Sequence, residues 1–129
     1  MPEFVVDKIQ QALNDASKAV RGSRIHVLGT AYKRDIDDVR ESPALDIIMV
    51  LRRRGALVTF SDPYVSSIQI EGERLESQEM LAGVEAADCV VIVTDHTGVD
   101  YAAAVERSKL IVDTRNALKK FRSDKIVRL

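Results

Sequence analysis

The sequence predicts an α/β fold in which helices cover both faces of a parallel, doubly wound sheet. Short runs rich in Val, Ile and Leu alternate with segments of helical periodicity along the chain. One of these runs, residues 88–94, is apolar almost throughout, as expected of a strand buried on both faces. We therefore expect a Rossmann-like, three-layer αβα arrangement, preceded by an N-terminal helix.

The length and composition are those of one ordinary globular domain. The chain has 129 residues, of which 46% are hydrophobic and 30% charged, and its net charge of -1 gives no global electrostatic reason to bind nucleic acid. One cysteine excludes an internal disulfide and fits a reducing cytoplasm. Neither a signal-peptide pattern nor an apolar stretch of membrane-spanning length is present, so we expect a soluble, cytoplasmic chain with no membrane partner.

An amphipathic helix is predicted from residue 2 to about residue 20. Pro2 suits a first helical turn, and Gly22 suits a C-terminal stop. The apolar positions recur at spacings of three and four residues: Val5, Val6, Ile9, Ala12, Leu13, Ala16 and Val20. This apolar face could cover the sheet, or it could be the exposed end of something larger.

The remaining elements follow in alternation. A strand is expected at 24–29, and Ser42 and Pro43 then begin a helix as its N-cap and first residue. That helix closes with the arginines 52–54, which suit a solvated C-terminal turn better than a nucleic-acid site. Further along, we expect strands at 56–60, 88–94, 110–113 and 126–129, helices at 77–86 and 100–107, and a partly solvated connection at 65–76.

Polar segments follow all four central strands, where open α/β sheets bind ligands. They are residues 30–40, 62–64, 94–96 and 114–116. Because Gly29 is followed by Thr30 and Ala31, the dinucleotide fingerprint G-x-G-x-x-G is absent.

The cations among these segments could bind an anion. Lys33 and Arg40 could pair with a diphosphate or ribose, and Arg115 could clamp a phosphate. Equally open is internal pairing of these cations with the carboxylates of the first loop, which are Asp35, Asp37, Asp38 and Glu41.

Three single residues favour structural roles, and a fourth, His96, could face a ligand. Cys89 lies in a buried strand and is expected to be inert, and His26 is expected to be a packed or edge histidine and not a catalyst. Asp62, before Pro63, suits a turn. His96 has a better chance of facing a ligand, but no metal partner stands at a useful spacing, so we expect no metal site.

Several segments resemble the C-terminal domain of the UDP-glucose/GDP-mannose dehydrogenase family. The longest is 29–45, GTAYKRDIDDVRESPAL, followed in order by 55–56, 61–64, 87–88, 94–96 and 113–116. Residues 1–6 and 12–14 resemble the end of that family's central helical region. The resemblance implies two parts: residues 1–21, a helix ending the central dimerisation region, and residues 22–129, a nucleotide-sugar-binding domain.

The resemblance also implies an activity that belongs to a larger protein. The family oxidises the C6 hydroxyl of a nucleotide-sugar to a carboxylate with NAD, and the implied role is that of an oxidoreductase in polysaccharide biosynthesis. Tyr32 and Lys33 match residues that contact the nucleotide, Arg115 matches a substrate-binding arginine, and Arg40 matches an arginine that reaches NAD held by another domain. No catalytic residue of the family has a counterpart here. This chain alone is therefore expected to be inactive, as an excised domain or a truncated product of an enzyme that forms homo-oligomers.

Two positions indicate the branch of the family. Tyr32 stands where the UDP-glucose enzymes typically have phenylalanine, and Thr94-Asp95-His96 differs from their usual pattern. Both resemble the branch acting on UDP-N-acetylated sugars, such as UDP-N-acetylmannosamine or UDP-N-acetylglucosamine. The alternative is a stand-alone nucleotide-binding regulatory or protein-interaction module, in which the apolar face of residues 5–20 would be a docking surface.

Overall fold

The computed structural model describes residues 2–129, and Met1, the first residue of the predicted segment 1–21, lies outside them. Within this range the chain forms four helices and seven strands. In chain order they are α1 Pro2–Asp15, β1 Arg24–Leu28, α2 Pro43–Arg53, β2 Leu57–Ser61, β3 Ser67–Ile70, β4 Glu73–Glu76, α3 Met80–Ala86, β5 Cys89–Ile92, α4 Tyr101–Arg107, β6 Ile111–Asp113 and β7 Ile126–Arg128. Five strands form one parallel sheet in the order β2-β1-β5-β6-β7. The predicted fold class is confirmed.

Both faces of this sheet are apolar and covered. Val27, Val91 and Val112 belong to the core that contains α1 and α2, whereas Val90 and Ile92 belong to the core that contains α3 and α4. Successive residues of a strand point to opposite faces, so each strand must be apolar at every position to serve both cores. For this reason polar and apolar residues do not alternate in β5, whose four residues are all buried.

Helix α1 covers one face of the sheet, which is the first of its two predicted placements. Its residues Val6, Ile9, Ala12 and Leu13 are buried in the same core as α2. The helix ends at Asp15 rather than near residue 20, since Ser17 adopts a positive φ of 64° that a right-handed helix cannot contain. The apolar face required by a docking helix is therefore already occupied.

Residues 67–76 form a β-hairpin, within the segment 65–76 for which the sequence predicted a partly solvated connection. Strands β3 and β4 pair antiparallel, and Ile68 and Ile70 are buried against the core of α1 and α2. Glu71 and Gly72 make the two-residue turn with φ of 50° and 83°, as a type I′ turn requires. The sequence signal for this hairpin was the alternation of polar and apolar residues in β3. It was missed because most residues of β4 are charged.

The ends of α2 agree with the sequence. Ser42 Oγ accepts a hydrogen bond from the Ala44 N–H at 3.2 Å. The three arginines at the other end each pair with a carboxylate: Arg52 with Glu73, Arg53 with Glu71 and Arg54 with Asp7. The interpretation of the three arginines as a solvated C-terminal turn is confirmed.

Helix α3 begins later than predicted, at Met80 and not at residue 77, because Glu79 provides its N-cap.

The sheet has one topological switch point. The chain leaves β1 for β2 on one side, and later places β5 on the other side of β1. Crevices for ligands open at such points, beyond the carboxyl ends of the two strands. No helix among residues 2–129 is long and apolar enough to cross a membrane.

Candidate functional site

A cavity of about 370 Å³ opens at this switch point, on the side of α3 and α4. The carboxyl ends of β1, β2 and β5 contribute Gly29, Asp62 and Thr94 to its wall, and Met80 and Tyr101 close it from the helices. Its volume is within the range of small-molecule sites. None of its lining residues is a lysine or an arginine. Its lining does include Asp62 and Asp100, so the cavity itself favours a group without negative charge.

Asp62 fastens the long loop after β1 to the end of β2. Its buried Oδ2 accepts the backbone N–H groups of Thr30 at 2.7 Å and Ala31 at 3.1 Å, while Oδ1 accepts the N–H of Tyr64 at 2.8 Å. The bond to Tyr64 closes a turn around Pro63, which agrees with the turn predicted for Asp62. The bonds to Thr30 and Ala31 were not predicted, and they fix the position at which the loop begins.

His96 joins the same network. The backbone N–H of Asp35 donates to His96 Nδ1 at 2.8 Å, so this nitrogen is the acceptor and Nε2 carries the proton, which it donates to Asp62 Oδ2 at 2.8 Å. The ring is 2% exposed and packs against Tyr64, with 4.8 Å between ring centroids. His96 lines the cavity as expected of a strand-end residue, but both of its nitrogens are bound to protein groups. Its role here is to hold the loop.

Two further contacts complete this attachment. Thr94 Oγ1 donates to the Ala31 carbonyl at 2.7 Å, and the Thr97 N–H donates to Asp35 Oδ1 at 2.7 Å. Gly29 permits the close approach, because its φ is 90° and a Cβ there would lie 2.3 Å from the Thr94 carbonyl oxygen. The charged loop is therefore fixed against the end of β5.

The four residues predicted to bind ligands lie at or near this edge with exposed side chains. Tyr32 is 51% exposed, and Lys33 is exposed and forms no salt bridge within residues 2–129. Arg40 pairs with Asp38 through two hydrogen bonds of 3.0 and 2.9 Å, which lower the pKa of Asp38 to about 2. Internal pairing within the loop thus applies to Arg40 and not to Lys33. The ligand roles of all four residues stay predictions.

Arg115 is presented by the turn that follows β6. The buried carboxylate of Asp113 accepts the N–H groups of Arg115, Ala117 and Leu118 at 2.8–3.1 Å, and Asn116 has a φ of 60°. The Arg115 Nε lies 3.7 Å from Asp95 Oδ1. The arginine therefore faces the end of β5 and not the carboxylates of the first loop.

Sequence reasoning included Arg34 and Asp95 in the polar segments at the strand ends, but it gave Arg34 no role of its own and missed the contact between them. Arg34 Nε donates to the Asp95 carbonyl at 3.0 Å, and its Nη2 pairs with Asp95 Oδ2. This hydrogen bond to Asp95 raises the pKa of Arg34 above its usual value. The signal for Arg34 was its place beside Lys33. Its partner, 61 positions away, could not be inferred from spacing.

The structural roles predicted for two other residues are confirmed. His26 is fully buried between β2 and α3, and burial lowers its pKa to about 4. Cys89 is fully buried in β5, and burial raises the pKa of its thiol to about 12.

Comparison with known proteins agrees with this geometry. The model of the UDP-glucose/GDP-mannose dehydrogenase family, UDP binding domain, matches residues 26–120. The chain belongs to this family. The UDP-N-acetyl-D-mannosamine dehydrogenase of Pyrococcus horikoshii is 36% identical over 124 residues, covering 92% of this chain and 28% of that protein. The UDP-glucose 6-dehydrogenase TuaD of Bacillus subtilis is 35% identical, covering 87% of this chain and 25% of that protein.

A solved structure resembles the whole UDP binding domain and α1 together. It is that of a UDP-D-ManNAc dehydrogenase from Pyrococcus horikoshii, with a TM-score of 0.82, 32% identity and coverage of 98% of this chain and 30% of that one. The resemblance inferred from the sequence is confirmed. The chain spans less than a third of the length of these relatives.

Proposed function

We propose that this chain is the nucleotide-sugar-binding part of an NAD-dependent UDP-sugar 6-dehydrogenase, which oxidises the sugar C6 hydroxyl to a carboxylate. The observation that carries the proposal is a cavity at the switch point that has no lysine or arginine in its lining, with a cluster of exposed cations outside it. The Tyr101 hydroxyl, which lines the cavity, donates to the His96 carbonyl at 3.5 Å, next to the Asp95 that pairs with Arg34. A ligand with a neutral ring and a diphosphate suits both parts.

In this proposal Tyr32 and Lys33 contact the nucleotide, and Arg115 contacts its diphosphate. Tyr32 offers an exposed ring, and Lys33 an ammonium group without a salt-bridge partner in residues 2–129. Arg115 is 49% exposed and has no hydrogen bond from its guanidinium to another group of those residues. All three can therefore bind an anion without first losing a strong internal contact.

NAD belongs mainly to a domain outside this chain. The turn after β1 lacks the glycines that let a backbone approach a pyrophosphate, and a loop of more than ten residues separates it from α2. Arg40, whose side chain is 87% exposed, can exchange Asp38 for a phosphate of NAD held by that domain. The chain thus positions substrate and cofactor, while hydride transfer depends on residues of the other domains.

The remaining assignments concern the whole enzyme. Residues 1–21 end the central dimerisation region and residues 22–129 form the nucleotide-sugar-binding domain. In this proposal the full enzyme is a cytoplasmic homo-oligomer that joins this domain to an NAD-binding domain. The burial of α1 in the core of α2 supports continuity between the two parts.

The proposed substrate is a UDP-N-acetylated sugar, such as UDP-N-acetylmannosamine or UDP-N-acetylglucosamine. Tyr32 and the segment Thr94-Asp95-His96 support this branch, and so does the similarity to enzymes named for UDP-N-acetyl-D-mannosamine. The stand-alone docking module loses its main support, because the apolar face of α1 is buried.

Isothermal titration of the chain with UDP and UDP-sugars tests the proposal. Lys33→Ala and Arg115→Ala should each weaken binding by about tenfold, because a hydrogen bond to a charged group is lost. Lys109→Ala is the matched control, since Lys109 is exposed just before β6, at the opposite edge of the sheet. Unchanged affinity in both variants contradicts the assignments, and no binding at millimolar ligand contradicts the site.

A further inference from the structure

The carboxylate of Asp95 lies between two arginines that come from the segments after two different strands. Arg34, from the loop after β1, pairs with Oδ2, and Arg115, from the turn after β6, approaches Oδ1 to 3.7 Å. One nearly buried carboxylate therefore brings two guanidinium groups side by side. Its side chain is only 12% exposed, whereas those of Arg34 and Arg115 are 60% and 49% exposed.

The two guanidinium groups keep most of their hydrogen-bonding capacity. A guanidinium has five N–H donors. Arg34 directs Nε and Nη2 to Asp95, which leaves three donors, and the 3.7 Å approach of Arg115 is too long for a hydrogen bond. Both side chains are about half exposed, so a ligand in solution can reach them.

The local charge favours an anion. One carboxylate cannot neutralise two guanidinium groups, and Lys33 adds a third positive charge beside Arg34. The carboxylate of Asp35, which accepts the backbone N–H of Thr97, also interacts with Arg34, so these three cations and two carboxylates leave one positive charge in excess. Planar guanidinium groups bind phosphate oxygens in a fork geometry, and two of them in fixed positions can take two phosphates.

We propose that Arg34 is a phosphate-binding residue of this site, which Asp95 positions beside Arg115 to form a two-arginine clamp for a diphosphate. The inference rests on the proposed function and adds a residue to it. Each guanidinium takes one phosphate, and the uncharged end of the ligand extends toward the cavity. Lys33 alone, on a flexible side chain, would bind a single charge without this geometry.

The test compares UDP with UMP by isothermal titration on the 129-residue chain. Arg34→Gln should weaken UDP binding about tenfold, and UMP binding by less than about twofold, because a single phosphate can still use Arg115. Arg34→Lys keeps the charge and loses the planar fork, so its affinity for UDP should lie between those of Arg34→Gln and the unmodified chain. If Arg34 had a purely structural role, Arg34→Gln would weaken the binding of UDP and UMP equally, and Arg34→Lys would bind UDP no better than Arg34→Gln.

The matched control is Arg53→Gln. Arg53 has a similar exposure of 63% and also forms an ion pair, with Glu71 at 2.9 Å, but it lies at the C-terminal end of α2. It should leave both affinities unchanged. Both variants should stay folded, because each arginine side chain is mostly exposed, and thermal unfolding checks this.

The outcomes separate this inference from the proposed function. If UDP binds and Arg115→Ala weakens it, while Arg34→Gln has no effect or an equal effect on UDP and UMP, the clamp is refuted and the proposed function stands. If the unmodified chain binds no UDP at millimolar concentration, both are refuted.

Discussion

Acidification should destabilise this domain through one buried histidine. His26 is fully buried, and burial lowers its pKa from 6.5 to about 4. Its Nε2 lies 2.7 Å from Ser61 Oγ, and the Ser61 hydroxyl donates onward to the Gln78 carbonyl, so Nε2 carries the proton. Its Nδ1 lies 2.6 Å from Thr59 Oγ1 and accepts from that hydroxyl. The neutral ring thus satisfies both contacts.

The sign and size of the effect follow from linkage. Above pH 6.5 the histidine is neutral in both states, and its contribution to stability is fully present. As the pH falls, the unfolded chain binds a proton that the folded chain does not, so the free energy of unfolding decreases until the pH passes the folded pKa of about 4. A difference of this size corresponds to roughly 3 kcal/mol at the acid end of the window.

Urea denaturation of the unmodified chain and of His26→Gln, measured from neutral pH to about pH 4, isolates this contribution from the carboxylates that titrate in both. His26→Gln should be the less stable protein at neutral pH, because a buried ring is lost. The gap between the two free energies of unfolding should narrow by about 3 kcal/mol on acidification. A gap that stays constant with pH would refute the assignment of a neutral, buried His26.

Three further predictions concern packing and local geometry. Gly83→Ala places a methyl group 2.2–2.6 Å from the His26 ring and should lower the free energy of unfolding by more than about 2 kcal/mol, measured in urea against the unmodified chain; unchanged stability would count against the contact. Asp62→Ala should lower the free energy of unfolding by about 3 kcal/mol or more and weaken UDP binding, because it removes the acceptor for Thr30, Ala31 and His96. A loss of stability with unchanged UDP affinity would show that the position of the loop does not affect binding. Cys89, with its thiol pKa raised to about 12, should react with a thiol reagent only at the rate of unfolding, and rapid labelling of the native chain would contradict its burial.

Much of the fold could be predicted because the local and global patterns agree. The apolar strands, the Ser42 cap of α2 and the order of the elements all follow from periodicity and capping residues. The hairpin was missed because β4 is polar at most positions and only Ile68 and Ile70 of β3 face the core. The end of α1 depended on a single left-handed residue, Ser17, which has no strong sequence signal.

The site was predictable only in part. Lys33, Arg40 and Arg115 stand at strand ends, so the sheet topology places them near one edge. Two contacts of the site, in contrast, join residues that are far apart in the sequence. Arg34 and Asp95 are separated by 61 positions, and Asp62 and His96 by 34 positions. Such contacts depend on how loops pack against each other, which neither spacing nor composition encodes.

The central claim is that the carboxyl edge of this sheet binds a nucleoside diphosphate. A crystal structure of the chain with UDP tests it most directly. We predict a diphosphate within hydrogen-bonding distance of Lys33, Arg34 and Arg115, with the uncharged part of the ligand toward the cavity beside Tyr101. UDP bound elsewhere on the domain, or a diphosphate that contacts none of these three cations, would contradict the account.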